Sequence, residues 1–207
     1  RPTYTKKLQD HYEPYKNDLC ENCQRRIQKN PLRVLDCKSE SCQTMIDTAP
    51  SSVEHLCEGC SEHWDQLLTQ LNILELPYQI DKRLVRGFDY YTRTVFEIIP
   101  ANEGRTSTIA GGGRYDGLME ELGGQPTPGI GFGMGIERVL RDIKGNNISL
   151  NASLSKKVLV VNIGDIVQPI AAGLSAKLRR NGVGAILAPT GRSLRSQLRF
   201  GSAIGAT

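Results

Sequence analysis

What the chain has little of narrows its nature first. No apolar run approaches the roughly 20 residues a helix needs to span a bilayer, and no secretory signal opens the sequence. Histidine is scarce: His11, His55 and His63 are its three, and none has an evident catalytic partner, so each reads as a solvated helix residue. The charge imbalance is small. A formal +4 suits a nucleic-acid partner without demanding one. No internal repeat or low-complexity stretch stands out. The apolar fraction of 39% and the charged fraction of 23% place the chain among ordinary globular proteins, not disordered or fibrous ones. Its 207 residues allow one large or two small domains. There is no initiator Met, and the ends at Arg1 and Thr207 carry no cap or charge cluster, so the chain reads as a fragment or a processed product.

What is present divides into three regions. Residues 1–80 read as helical, with Tyr4, Leu8, Tyr12 and Tyr15 as the apolar positions of residues 3–17. Residues 19–29 form a second candidate helix, stopped by Asn30-Pro31, and residues 41–49 a third, stopped by Pro50. Ser51 and Glu54 match a capping box. Val53, Cys57, Cys60, Trp64, Leu67, Leu71 and Leu74 then recur at spacings of four and three, one apolar face of a long helix that Pro77 ends.

Residues 81–145 change character. Strands are expected over 93–99, 106–110 and 127–134, the first two as an antiparallel hairpin about the turn Ala101-Asn-Glu-Gly104. Short helices follow over 115–122 and from 136 to about 144. This is an α+β arrangement, an antiparallel sheet with flanking helices. Residues 146–155 are small and polar and read as a linker. Beyond them, strand–helix–strand–helix over 157–163, 167–180, 182–187 and 193–204 predicts parallel pairing in a separate α/β domain, residues 156–207, with too few strands to stand alone.

Two glycine patterns point to a ligand. In Gly129-Ile-Gly-Phe-Gly-Met-Gly135, side chains alternate across a strand, so one face is bare backbone and the other carries Ile130, Phe132 and Met134. Glycine weakens a strand, so close packing or a flat ligand against the bare face must justify it. Arg138 follows in the first helical turn, where positive charge opposes the helix dipole, a placement suited to reaching for phosphate. Gly111-Gly112-Gly113 after a strand likewise lets backbone approach a ligand, or marks a turn. Arg114 and Asp116 beyond it suggest an ion pair.

The stretch Leu84-Val-Arg-Gly-Phe-Asp-Tyr-Tyr-Thr-Arg-Thr-Val-Phe-Glu-Ile98 puts the cation Arg86 and the phenols Tyr90 and Tyr91 at the mouth of a β-branched strand. That suits a small anionic, polar ligand. The plainer alternative is an ordinary loop–strand junction with surface Arg and Tyr.

This stretch, Ala110-Gly-Gly-Gly-Arg-Tyr-Asp-Gly-Leu118 and Gly129-Ile-Gly-Phe-Gly-Met-Gly-Ile-Glu-Arg138 together resemble the two signature motifs of the histidyl-tRNA synthetases and the last of the three class II synthetase motifs, in the right order. The resemblance runs the length of the chain. It implies a helical insertion over 1–80, the C-terminal part of a class II catalytic core over 81–145, and the start of an anticodon-binding domain over 156–207. It implies ATP lying along the sheet at Gly131 and Gly133, with Arg138 on the terminal phosphate. Arg86 would hold the histidine carboxylate and the α-phosphate together. Tyr91 would bond the imidazole, with Tyr90 beside it, and Gly112, Gly113 and Tyr115 would wall the pocket. Mg2+ would accompany ATP. L-histidine and tRNA(His) would be partners, a cytoplasmic homodimer the setting, with no membrane. Arg192, Arg195 and Arg199, with Lys177, Arg179 and Arg180, would meet tRNA phosphates or simply be solvated. The first two class II motifs, which carry the dimer interface and another ATP-binding arginine, lie N-terminal to this segment in the family, as does the imidazole-reading glutamate. None is in these 207 residues, so the piece alone is not expected to activate histidine at a normal rate.

Six cysteines form three pairs. Cys20-x-x-Cys23 and Cys57-x-x-Cys60 have zinc-ligand spacing, and Cys37-x4-Cys42 lies between them. Disulfides do not suit a cytosolic enzyme. Cys57 and Cys60 fall on the apolar stripe of a helix, where thiols commonly pack as small core residues. Packed thiols are therefore expected, with zinc on Cys20, Cys23, Cys57 and Cys60 as the alternative. Two rival functions remain: a synthetase-like regulatory subunit that senses histidine without aminoacylation, and a zinc-stabilised RNA-binding module.

Overall fold

A computed structural model of the chain describes residues 2–100, 107–148 and 157–206. The Ala101-to-Gly104 turn and most of the expected linker lie outside these residues. The chain divides into two compact units, Arg1–Ser61 with Ile80–Ile148, and Glu62–Gln79 with Ser149–Thr207. Among the described residues no helix is long and apolar enough to cross a membrane.

In the first unit, α1 (Pro2–Tyr12), α2 (Glu21–Lys29) and α3 (Glu40–Asp47) are joined by 3-10 turns. The first helix is shorter than its apolar spacing predicts. Pro14 offers no N–H to the turn before it and disfavours α geometry at Glu13, so residues Glu13–Asp18 tighten into a 3-10 segment. Tyr4, Leu8 and Tyr12 lie on one face of α1 and bury against Cys23 and Ile27 of α2, Val34, Leu35, and Cys42 and Ile46 of α3. His11, expected to be solvated, is half-buried. Its Nε2 donates to the carbonyl of Met45 at 2.9 Å and ties α1 to α3.

The capping box at Ser51 is not formed: its side chain makes no cap bond, and Ser52–His55 is another 3-10 turn. The long helix, α4 (Glu58–Ile73), starts later. Cys57 therefore precedes it and is exposed, while Val53 and the stripe from Cys60 onward are half-buried.

The sheet of this unit has the order β1 (Val95–Ile98), β2 (Ala110–Arg114), β3 (Ile130–Met134), antiparallel throughout. The glycine triplet, expected after a strand, lies inside the central one. Propensity argues against glycine there, but Cβ atoms at these positions would collide with neighbours, so packing overrides it. Phe96, Gly112 and Phe132 stand opposite one another in the register. The two rings approach to 6.3 Å over the gap that Gly112 leaves. On this face Ile130, Phe132 and Met134 are all more than half exposed, an open apolar strip. Beyond the sheet lie α5 (Leu118–Glu121) and α6 (Ile136–Gly145).

The second unit holds most of α4 together with β4 (Lys157–Val160), α7 (Gln168–Arg180), β5 (Gly184–Leu187) and α8 (Leu194–Ala203), with β4 and β5 parallel as the alternation predicts. Gly201 lets α8 approach β4, since a Cβ there would stand 2.8 Å from Leu159 Cδ2. A buried amide clasp fixes this contact. Gln197 Nε2 donates to the carbonyls of Asn162, at 2.6 Å, and Arg192, at 2.8 Å. Its Oε1 accepts from the Asn162 N–H at 2.9 Å. Hydrophobic pattern carries no trace of this polar plug. Gln197→Leu keeps the volume but orphans two buried backbone groups of Asn162 and the half-buried Arg192 carbonyl, so a loss of about 3 kcal/mol is expected in urea unfolding of this unit. An unchanged midpoint would show that water satisfies those groups instead.

Candidate active site

The residues the sequence singles out gather on the face of the first sheet opposite Phe96 and Phe132. There Glu97 stands across from Gly111 and Gly133, and Val95 across from Gly113 and Gly131. The four glycines make a bare patch two strands wide. Three side chains cover part of it. The Arg86 guanidinium lies across Gly111, where a Cβ would meet Nη1 at 2.7 Å. The Tyr91 ring lies over Gly113, with Cδ1 at 2.9 Å from the same imagined atom. The Tyr115 ring lies over Gly129 and Gly131. Gly133 is left uncovered, with nothing within 4 Å of a Cβ.

The loop that carries Arg86 is anchored on the helical part of the same unit. Val85 packs against the helical core. Lys82 Nζ donates to the Asp47 carbonyl at 3.0 Å. Arg83 reaches Asp47 at 3.1 Å and Gln43 at 2.6 Å. Asn30 donates to Asp89 at 2.9 Å, and Arg33 Nη1 donates to the Arg86 carbonyl. These bonds determine where the guanidinium can go, which matters because a binding cation works by position.

Arg86 is charge-paired with Glu97 at 2.5 Å, both side chains mostly shielded from water. Glu97 Oε2 also accepts from the Thr108 hydroxyl at 3.0 Å, and the Thr108 carbonyl accepts from Arg138 Nη1 at 2.6 Å. Arg86, Glu97, Thr108 and Arg138 therefore form one connected chain along the edge of the bare patch. Arg138 is exposed and folds its own methylenes over Gly135. Arg86 Nε is buried and has no acceptor among the described residues. The arrangement is a cationic rim with an open strip of backbone beside it, suited to a flat anionic molecule.

The tyrosines form a wall. The ring centroids of Tyr90 and Tyr91 are 4.7 Å apart, and that of Tyr115 lies 5.7 Å from Tyr90 and 6.3 Å from Tyr91. Phe88 stacks on Tyr90 at 5.2 Å. The hydrogen bond with Tyr91 is the main cause that raises the Tyr90 phenol above its usual pKa, so it stays protonated near neutrality.

One expected role shifts and one pairing is met. Gly112 faces the other side of the sheet from Gly111 and Gly113, because successive residues alternate, so it is not part of the wall. Arg114 turns to Asp116, with Nε 2.8 Å from both carboxylate oxygens, a local ion pair outside the patch. Glu97 and Thr108 carry no motif that singles them out in the sequence. A lone carboxylate within a β-branched strand, two residues from Val95 and hence on the same face, is the signal that marks Glu97.

The cysteines also sort differently from the expected pairs. The sulfurs of Cys20, Cys23, Cys37 and Cys42 all lie within 4.8 Å of one another. Cys57 and Cys60 are not among them, since both lie at the start of α4. The nearby Cys23 N–H lowers the Cys20 thiol pKa to about 7, whereas burial raises those of Cys23 and Cys37.

Comparison with known proteins places this geometry. A family model described as histidyl-tRNA synthetase matches residues 22–139, which include nearly all of α2, all of α3, the Arg86 loop and all three strands of the first sheet. The chain belongs to the histidyl-tRNA synthetase family. The histidine–tRNA ligase of Symbiobacterium thermophilum is 45% identical over 202 residues, 97% of this chain and 47% of that protein. That of Acetivibrio thermocellus is 43% identical over 206 residues, 100% of this chain and 49% of that protein. An apo crystal structure of the S. aureus histidyl-tRNA synthetase is 34% identical with a TM-score of 0.54, covering 100% of this chain and 50% of that one. The fold is thus that of a class II synthetase, and the chain spans about half the length of the curated relatives it matches.

Proposed function

We propose that this chain supplies the histidine- and ATP-binding half of a histidine–tRNA ligase site. In the first step a carboxylate oxygen of histidine attacks the α-phosphorus of ATP, pyrophosphate leaves, and histidyl-adenylate forms. In the second, a ribose hydroxyl of tRNA(His) displaces AMP. The observation that carries this reading is the Arg86 guanidinium held across Gly111 by Glu97, beside the uncovered backbone at Gly133. Two anions must approach each other in the first step, and a fixed cation between them offsets that repulsion where charge develops. Arg86 is placed to bridge the carboxylate and the α-phosphate. Arg138 is placed for the distal phosphates, exchanging the Thr108 carbonyl for phosphate oxygen. The bare strip at Gly131 and Gly133 receives the nucleotide. Tyr91, Tyr90 and Tyr115 read the imidazole, where a site built to hydrogen-bond a substrate rejects analogues that leave its groups unpaired. Mg2+ enters with ATP as part of the substrate. The carboxylate on this face, Glu97, is already taken by Arg86 and Thr108, so it is not free to hold the ion.

In the second unit Arg192, Arg195 and Arg199 are exposed in or just before α8. Arg179 and Arg180 are engaged, donating to the Ala185 carbonyl and pairing with Glu75. The tRNA contact is therefore assigned to the α8 arginines, and it weakens steeply with salt.

The test is histidine-dependent ATP–pyrophosphate exchange, followed by charging of tRNA(His), on a full-length protein carrying this chain. Exchange specific to histidine is expected. Histidine binding without exchange would instead favour a sensor, and neither would remove the reading.

A further inference from the structure

We infer that Cys20, Cys23, Cys37 and Cys42 form a structural zinc site in the helical part of the first unit. A tetrahedral ion with four zinc–sulfur bonds of about 2.3 Å spaces its sulfurs about 3.8 Å apart. Cys20 and Cys37 Sγ are 3.7 Å apart, and all four sulfurs fall within 4.8 Å of one another. Packed thiols need no such convergence. A small hydrophobe is satisfied by carbon neighbours, and Ile27, Val34, Leu35 and Ile46 are at hand in this core. A multi-iron cluster, in which the four thiolates surround an inorganic core, calls for wider separation.

The surroundings suit thiolates. Cys20 immediately precedes α2 and Cys23 lies in its first turn; Ser39 immediately precedes α3 and Cys42 lies in its first turn. Both helix starts therefore direct N–H groups and partial positive charge toward sulfur. The Cys20 N–H donates to Cys42 Sγ and the Ser39 N–H to Cys37 Sγ, each at 3.4 Å. Cys23 and Cys42 are fully buried while Cys20 and Cys37 are half-exposed, which gives a metal an entry path. Four ligands from protein leave no open position, so the ion is structural. It ties the first turn of α2 to α3 and to the loop before α3. Val85, next to Arg86, packs on this same core. The site therefore stands independently of the ligase reading, but it braces the loop on which that reading depends.

The experiment uses the whole 207-residue chain, purified under reducing conditions without chelator. About one zinc per chain is expected, and after exchange to cobalt the intense visible bands of a tetrahedral tetrathiolate. C20S and C37S should each lower bound zinc to below about 0.1 per chain, while C57S and C60S leave it near one. Because a ligand variant can fail by misfolding, wild-type thiols are also followed by alkylation. Zinc should slow modification of the half-exposed Cys20 and Cys37 by at least about tenfold and leave exposed Cys57 unaffected. Equal rates with and without zinc, together with no cobalt spectrum, would overturn the site. So would disulfides detected by a non-reducing mass, or metal lost on C57S and C60S but kept on C20S and C37S.

Discussion

Arg86→Gln in a full-length ligase carrying this chain is expected to slow histidine-dependent pyrophosphate exchange by about 10³-fold, with the loss mainly in kcat, the size seen when one preorganised charge donor is removed. Arg86→Lys should lose about 10²-fold, because an ammonium keeps the charge but cannot bridge two anions with a planar fork. The loss belongs in kcat because the bridge strengthens as charge builds on the α-phosphoryl oxygens. A cation that served only to bind ATP would raise KM instead. Glu97 offers a second handle. It holds the guanidinium at 2.5 Å and also accepts from Thr108, so Glu97→Gln loosens the position of Arg86 without removing it, and about a tenfold loss is expected. Once Arg86 is absent Glu97 has nothing to position, so the double variant should be no slower than Arg86→Gln alone. Additive losses, or a rise in KM with kcat intact, would show that Arg86 is a structural ion-pair partner and not the bridging group.

Much of this site could be read in the sequence, for a definite reason. Arg86, Tyr91 and Arg138 stand out by residue type and setting, and Tyr115 through the family resemblance of its motif, so each could be named before its neighbours were known. The second unit was equally legible, since a continuous apolar run, an amphipathic stretch and another apolar run have few arrangements besides strand, helix and parallel strand. What escaped was pairing. The Arg86–Glu97 bond spans only 11 positions, yet the lone carboxylate that flags Glu97 does not name Arg86 as its partner, because the match depends on how the loop and the strand are brought together. In sequence the glycine triplet reads as the segment after a strand, since glycine is depleted in strands. Inside the central strand it is required by what lies above and below it, a tertiary fact. The cysteines illustrate the same limit. Spacing drew attention to the two pairs separated by two residues and passed over Cys37 and Cys42, while helix starts distant in sequence brought those four sulfurs together. The capping box at Ser51 failed for a local reason, since the residues after it turn as a 3-10 segment and leave no α-helical N–H for the serine to serve.

Three glycine-to-alanine substitutions on one sheet should give three different phenotypes. At Gly112 the new methyl would stand 2.1 Å from the Gly131 carbonyl oxygen and 2.6 Å from Phe132 Cα. Both are backbone of a paired strand, and β2 is hydrogen-bonded on both sides, so neither can yield without breaking the ladder. Gly112→Ala is expected to destabilise the first unit by at least about 3 kcal/mol, or to prevent folding. At Gly111 the nearest atoms to the methyl would all belong to the Arg86 guanidinium, at 2.7 to 3.0 Å. That is the far end of a flexible side chain, so the fold survives, the guanidinium is displaced, and pyrophosphate exchange falls toward the Arg86→Gln level. At Gly133 a methyl meets nothing within 4 Å. Stability should stay within about 0.5 kcal/mol of the parent, as at an unencumbered surface position. Yet this is the uncovered backbone against which the nucleotide is proposed to lie, and a methyl there lifts a flat ligand off its platform. KM for ATP should rise at least about tenfold, equivalent to about 1.4 kcal/mol of binding. Urea unfolding and exchange kinetics on the three variants separate these cases, and an unchanged KM for ATP in Gly133→Ala would mean that the nucleotide lies elsewhere.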